Sequence, residues 1–222
     1  MALAVEILPD ADAVASRGAE HVVEQAEAAV AARGRFTFAV SGGRTPWAML
    51  AALAGKLPAE GVTIFQVDER VAPDGDSERN LTHLVESLPP ELASHVRAMP
   101  VTAHDLEAAA AEYGASLPEA LDLVHLGLGP DGHTASLVPG APVLEVTDHD
   151  VAVTGEYQGR RRMTLTYPAL NRARRVLWLV TGADKTGALA RLRAGDQTIP
   201  AGRVSSDRAL VLADRAAAGG KA

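Results

Sequence analysis

Short contiguous apolar runs alternate along this chain with longer segments whose apolar positions recur at helical spacing. The first long segment opens on the start signal Pro9-Asp10. Val14, Gly18, Val22, Ala26 and Val30 then recur every four residues and Gly34 ends the run, which predicts an amphipathic helix over 10–33. FTFAV (36–40) follows as a short apolar run and predicts a buried strand. Similar runs stand at 62–67 (VTIFQV), 121–126 (LDLVHL), 175–180 (RVLWLV) and 209–213 (ALVLA). Helical stretches lie between them at 46–54, 80–88, 104–116, 167–173 and 184–193. Parallel strands need helical crossovers, so this alternation predicts an α/β fold: a three-layer, Rossmann-like open sheet, mostly parallel, with helices on both faces. Residues 138–163 break the rhythm and predict a small antiparallel excursion or lid. No repeat, low-complexity tract or linker divides the chain, so a single domain over 1–222 is expected.

The alternation carries a functional consequence. Open α/β sheets bind ligands beyond the carboxyl ends of their strands. Four polar or glycine-rich stretches follow directly on strands: SGGRTP (41–46), DER (68–70), GLGPDGHTASLVPG (127–140) and TGADK (181–185). A common sheet would bring all four to one edge.

Composition narrows the classes. The 222 residues are 47% hydrophobic and 22% charged, ordinary for a globular protein. A net charge of −7 argues against a general nucleic-acid binder, which needs a basic face, yet leaves room for a small anion held by a few local donors. Cysteine is absent, which removes disulfides, thiolate metal sites and a cysteine nucleophile. No stretch predicts a membrane span, and the start of the chain lacks a basic region followed by an apolar core, so a cytoplasmic protein is expected. The sequon Asn80-Leu81-Thr82 then reads as a coincidence of composition.

Each stretch has its own chemistry. In SGGRTP, Ser41, Gly42, Gly43 and Thr45 stand between a strand and a helix start, where exposed backbone N–H groups and the helix dipole favour an anion; a capped strand-to-helix turn is the plainer alternative. The spacing matches neither a dinucleotide fingerprint nor a P-loop. Asp68, Glu69 and Arg70 close a buried strand, either as a solvated ion cluster or with Arg70 gripping a phosphate and Asp68 orienting a site group or substrate hydroxyl. In the third loop His133 is the candidate general base, because imidazole takes a proton near neutral pH. Asp131 either orients that ring or leaves oxyanion stabilisation to neighbouring backbone N–H groups. Ser136 lacks a nucleophile elbow. Of Arg160, Arg161 and Arg162, Arg162 is the best placed to face a site, being adjacent to the strand-like MTLT; Lys185 stands just past another strand. No metal is expected: Asp74, Asp76 and Glu78 start like a calcium loop, but Arg79 and Val85 occupy positions that need glycine and glutamate.

Together SGGRTP, VDERVAPDGDSERN (67–80), GLGPDGHTASLVPG, MTLTYPALNRARRVLWLVTGADKTGAL (163–189) and IPAGRV (199–204) resemble the 6-phosphogluconolactonases of the oxidative pentose phosphate pathway. The likeness spans nearly the whole chain. It implies hydrolysis of a sugar-phosphate lactone with His133 as base and Asp131 in support. Ser41, Gly42, Gly43, Thr45, Asp68, Arg70, Arg162 and Lys185 would bind the substrate and its phosphate. A lactone is already an activated ester, so no cofactor is expected, and neither is a nucleic-acid or membrane partner; the chain is expected to act as a monomer. The superfamily also holds glucosamine-6-phosphate deaminase/isomerases, whose loop resembles DGHIAFNEPG, with a glutamate that assists ring opening. Val138 stands at that position here, which favours the lactonase. A binding-only sugar-phosphate sensor of related fold ranks last, because His133 and Asp131 are retained and no helix-turn-helix region is added.

Overall fold

The computed structural model describes residues 3–57 and 59–220. In chain order its first half comprises β1 (Ala4–Leu8), α1 (Ala11–Arg33), β2 (Phe36–Val40), α2 (Arg44–Ala51), β3 (Val62–Gln66), β4 (Asp68–Arg70), α3 (Asn80–Ser87), α4 (Pro90–Ala93) and β5 (Val96–Arg97). The second half comprises α5 (Leu106–Ser116), β6 (Leu123–Gly127), β7 (Val151–Val153), β8 (Arg162–Leu165), α6 (Tyr167–Arg172), β9 (Val176–Val180), α7 (Thr186–Arg193) and β10 (Ala209–Asp214), with short 3-10 turns at Pro142–Glu145, Ala183–Lys185 and Pro200–Arg203.

Seven strands form one sheet in the order β1-β10-β9-β6-β2-β3-β5, and every neighbouring pair runs parallel. Successive strand residues turn to opposite faces, so each strand feeds two apolar layers. Phe36, Phe38, Val40, Ile64, Leu123, Leu177 and Leu179 pack with Val14, Val22, Met49, Leu50 and Leu84 of α1, α2 and α3. Ala39, Phe65, Val124, Leu126, Trp178 and Val211 pack on the opposite side with Ala109, Tyr113, Leu170 and Leu189 of α5, α6 and α7. The expected three-layer parallel architecture is therefore present.

The predicted excursion is also present, but larger in origin than the sequence suggested. β7 and β8 lie within or beside it, and their third partner is β4, giving an antiparallel sheet ordered β4-β8-β7. DER is thus a strand in its own right, not the frayed end of β3. Its register sets Asp68 opposite Thr164 and Arg70 opposite Arg162. Besides β4, β1 and β5 escaped the sequence reading. β1 is an edge strand with no fully buried residue, and β5 has only two residues. Helix α1 follows the expectation closely: the Asp10 carboxylate accepts from the Ala13 N–H at 2.9 Å, and the Gly34 N–H reaches the Val30 carbonyl at 2.7 Å.

Strand order locates the site before any side chain is considered. From β2 the chain proceeds outward to β3 and β5; from β6 it proceeds the other way, to β9 and β10. β2 and β6 are neighbours, so the loops after them diverge and leave a crevice at this switch point. Those two loops are SGGRTP and GLGPDGHTASLVPG.

Candidate functional site

A cleft of about 810 Å³ opens at the switch point, lined among others by Ser41, Gly42, Gly43, Thr45, Asp68, Arg70, His133, Arg162 and Lys185. Every substrate-binding residue expected from the sequence reaches this one space.

His133 is held from two sides. Its Nδ1 lies 2.6 Å from Asp131 Oδ1, and its backbone N–H donates to the same oxygen at 3.1 Å. A carboxylate can only accept, so Nδ1 carries the hydrogen and the Nε2 lone pair is left for chemistry. Partial burial pushes the Asp131 carboxyl up, but the backbone and side-chain hydrogen bonds from His133 outweigh it and hold the group below its ordinary value. The ring lies directly over Gly129: a Cβ there would stand 2.1 Å from His133 Nδ1. The glycine is thus required for close approach, and the loop closes on itself through Gly129 N–H to the His133 carbonyl at 2.8 Å.

β4 divides its three charges between two environments. Asp68 and Arg70 face the cleft, whereas Glu69 is fully buried behind it. The Glu69 carboxylate accepts from Gln66 Nε2 (2.9 Å) and from the backbone N–H groups of Arg70 (2.7 Å), Asn80 (2.8 Å) and Leu81 (2.7 Å). Arg79, itself buried, lies 3.2 Å away. Glu69 therefore anchors the start of α3 and the loop before it. Asn80, read in the sequence only as a helix start and a chance sequon, joins this work. Its Oδ1 accepts from Arg70 Nη1 at 2.8 Å and its Nδ2 donates to the Asp68 carbonyl at 2.9 Å. Gly42 packs against that amide; a Cβ at 42 would stand 2.1 Å from Asn80 Oδ1.

Asp68 accepts a 2.7 Å hydrogen bond from Ser136 Oγ. Burial pushes its carboxyl up, opposed by the Ser136 hydrogen bond and by the charges of Arg162 and Arg70. Ser136, discounted as a nucleophile, thus joins the His133 loop to β4.

The three consecutive arginines separate cleanly. Arg160 turns to Glu78 (2.5 Å) and Asp76 (3.3 Å), and Arg161 to Glu107 (3.5 Å). Only Arg162 enters the cleft. It is buried, its Nη2 donates to Gln158 Oε1 at 3.1 Å, and its Nε has no hydrogen-bond partner among the described residues. Burial draws its guanidinium below the ordinary value, with Asp68 opposing. Its guanidinium carbon also stands 5.0 Å from the ring centroid of Tyr157, and the same ring meets His133 edge to face at 5.8 Å.

On the far wall Thr45 Oγ1 and Thr181 Oγ1 are 2.9 Å apart, and Lys185 Nζ sits 2.8 Å from Asp184 Oδ2. The Ser41 N–H donates to His125 Nδ1 at 3.3 Å. Burial pushes the His125 imidazole down to about 3, so it stays neutral with its hydrogen on Nε2 and cannot act as a second base. The Ser41 hydroxyl is buried without a hydrogen-bond partner among the described residues.

Sequence reasoning missed Asn80, Tyr157, Gln158, Thr181 and His125. Asn80 had a usable signal, twelve residues beyond Asp68 at a helix start; the turn residues Tyr157 and Gln158 had none.

The open parallel sheet thus carries an anion-suited loop and a histidine loop at its switch point. The family model described as "Glucosamine-6-phosphate isomerases/6-phosphogluconolactonase" matches residues 9–212, and the chain belongs to this family. A 6-phosphogluconolactonase of Nostoc sp. is 36% identical over 207 residues, covering 86% of this chain and 85% of that protein. One of Synechocystis sp. is 38% identical over 210 residues, covering 87% and 86%. The crystal structure of a 6-phosphogluconolactonase from Shewanella baltica has a TM-score of 0.85 at 25% identity, covering 96% of this chain and 97% of that one. A monomeric glucosamine-6-phosphate deaminase reaches a TM-score of 0.82 at 19% identity, covering 99% and 100%. Fold alone therefore leaves the chemistry open, and residues must decide it. No helix among the described residues is long and apolar enough to cross a membrane.

Proposed function

We propose that this protein hydrolyses 6-phospho-D-glucono-1,5-lactone to 6-phospho-D-gluconate, with His133 activating water. The observation that carries the reading is the 2.6 Å Asp131–His133 contact on the cleft wall, which leaves Nε2 as the base. The relatives named as 6-phosphogluconolactonases support the choice of substrate.

In this mechanism His133 Nε2 takes a proton from water while the water oxygen bonds to the lactone carbonyl carbon. The tetrahedral intermediate collapses, the bond from that carbon to the ring oxygen breaks, and the new imidazolium returns its proton to the departing oxygen. Asp131 keeps the ring in the required tautomer and stabilises the transient cation. The phosphate rests on Gly42, Gly43 and Thr45 at the start of α2, where backbone N–H groups are exposed, with Ser41 beside them. Arg162, Arg70 and Lys185 supply positive charge, and Asp68 accepts from a substrate hydroxyl.

Val138 separates this reading from deamination. It is buried, does not line the cleft, and offers no group to move a proton during ring opening.

The direct test follows lactone loss above the spontaneous rate and ammonia release from glucosamine-6-phosphate in parallel. Lactone hydrolysis with no ammonia is expected; ammonia release, or lactone loss at only the background rate, refutes the assignment. A second expectation concerns loop geometry. Gly129→Ala must displace the His133 ring, and a shift on the order of 1 Å costs roughly 10²-fold in rate. Steady-state kinetics on the folded variant checks this, and activity within a few-fold of the parent contradicts the close-approach account.

A further inference from the structure

Residues 154–161 connect β7 to β8 through a tight turn that packs beside Arg162 and His133. The Tyr157 N–H bonds to the Arg160 carbonyl at 2.9 Å and the Arg160 N–H returns to the Tyr157 carbonyl at 3.3 Å. Gln158 and Gly159 take left-handed backbone conformations, with φ of 54° and 78°, which bring the turn back so sharply. Its tip is tied across to the opposite loop, because Arg160 bridges to Glu78 and Asp76.

One side chain of this turn touches two groups with different tasks. The Tyr157 ring meets His133 edge to face at 5.8 Å, with 65° between the planes, and carries the Arg162 guanidinium at 5.0 Å. Its neighbour Gln158 accepts from Arg162 Nη2 at 3.1 Å. Tyr157 itself does not line the cleft. From this geometry we infer that Tyr157 is a positioning residue, whose aromatic face fixes Arg162 toward the substrate phosphate and whose ring holds His133 toward the reacting carbonyl.

The physical case rests on what each partner lacks elsewhere. Arg162 is buried with its Nε unpaired; among the described residues its guanidinium is hydrogen-bonded by one side-chain amide and rests on the electron-rich ring face, with the Asp68 carboxylate attracting it through space. His133 is fixed at Nδ1 by Asp131, but a single hydrogen bond leaves the ring free to pivot about that contact. Packing against Tyr157 and over Gly129 removes the pivot. The hydroxyl of Tyr157 makes no hydrogen bond within the described protein, so the ring is the working part. Both effects belong to one residue, so one substitution should move substrate affinity and turnover together.

The inference rests on the lactonase reading for its kinetic arm, and a spectroscopic arm stands apart from it. Tyr157→Ala is expected to lower kcat and raise KM, with kcat/KM falling roughly 10-fold. Tyr157→Phe keeps the ring and should stay within about two-fold of the parent, as a ring-based role requires. Tyr157→Leu restores bulk without an aromatic face and should remain impaired. Full recovery in the leucine variant, or kcat and KM both unchanged in a folded alanine variant, overturns the proposal. In NMR spectra of the whole protein, the His133 ring-proton signals should shift in Tyr157→Ala and hold their place in Tyr157→Phe. Unmoved signals in Tyr157→Ala refute the contact. If the parent protein fails on the lactone, the functional reading falls, and the NMR result still decides the Tyr157–His133 contact.

Discussion

Replacing His133 with alanine is expected to cut kcat/KM for the lactone by about 10²–10⁴-fold, the ordinary range for a general base. The variant should fold, because the ring is partly exposed and stands on the cleft wall, outside both apolar layers. The shape of the loss matters as much as its size. His133 is assigned to the reacting carbon and not to the phosphate, so kcat should fall while KM stays nearly constant. Progress curves must be corrected for spontaneous hydrolysis, which sets the floor of the measurement. A folded alanine variant with near-parental turnover would remove His133 from the mechanism. Asp131→Asn should give a milder form of the same loss, since an amide can present either donor or acceptor to Nδ1 and no longer fixes the tautomer.

The largest effect on stability is expected at a residue that never meets the substrate. Glu69 is fully buried and answers four neutral donors and the Arg79 cation. Truncation to alanine strands all of them, and breaking a buried pair from one side costs about 3–5 kcal/mol. For a chain of this size that is a fall in Tm on the order of 10 °C. Activity should weaken as well, because Asn80 and Leu81 lose their backbone anchor and Asn80 in turn steadies Arg70 and the Asp68 carbonyl. Thermal unfolding followed by circular dichroism checks the first part. A melting point unchanged within two degrees would mean that the pocket relaxes around the loss far more readily than its packing suggests.

The contrast between Asp68, Glu69 and Arg70 also explains what could be read in advance. The five central strands were legible because each is a continuous apolar run, buried on both faces, and a parallel sheet demands that pattern. β4 was not legible as a strand, because DER has no β-forming composition. It is extended because Glu69 finds its partners on one side while its neighbours face the cleft on the other. β1 was missed for the opposite reason: half-exposed on a sheet edge, it has little periodicity to reveal.

The site divides along similar lines. His133, Asp131 and the SGGRTP residues lie on loops that leave strands directly, so chain order and strand order together place them. Arg162 could be preferred over Arg160 and Arg161 from its place beside the strand-like MTLT run; it opens β8, while Arg160 and Arg161 turn to Glu78 and Glu107. Tyr157 could not be found in this way. Its role depends on a turn that folds back against His133 and Arg162, and the left-handed conformation of Gln158 has no sequence marker comparable to a glycine.

The pairing of β1 with β10 has a temporal consequence. Ala4 lies opposite Leu210 and Leu8 opposite Asp214, and among the described residues β10 is the one strand that pairs with β1. On a ribosome adding about 5–20 residues each second, the first strand therefore spends roughly 10–40 s without the neighbour that completes it. The central strands β2 and β3 can dock long before, in register, while the unpaired N–H and C=O groups along β1 remain open to solvent. Assembly of this sheet thus ends where its synthesis begins.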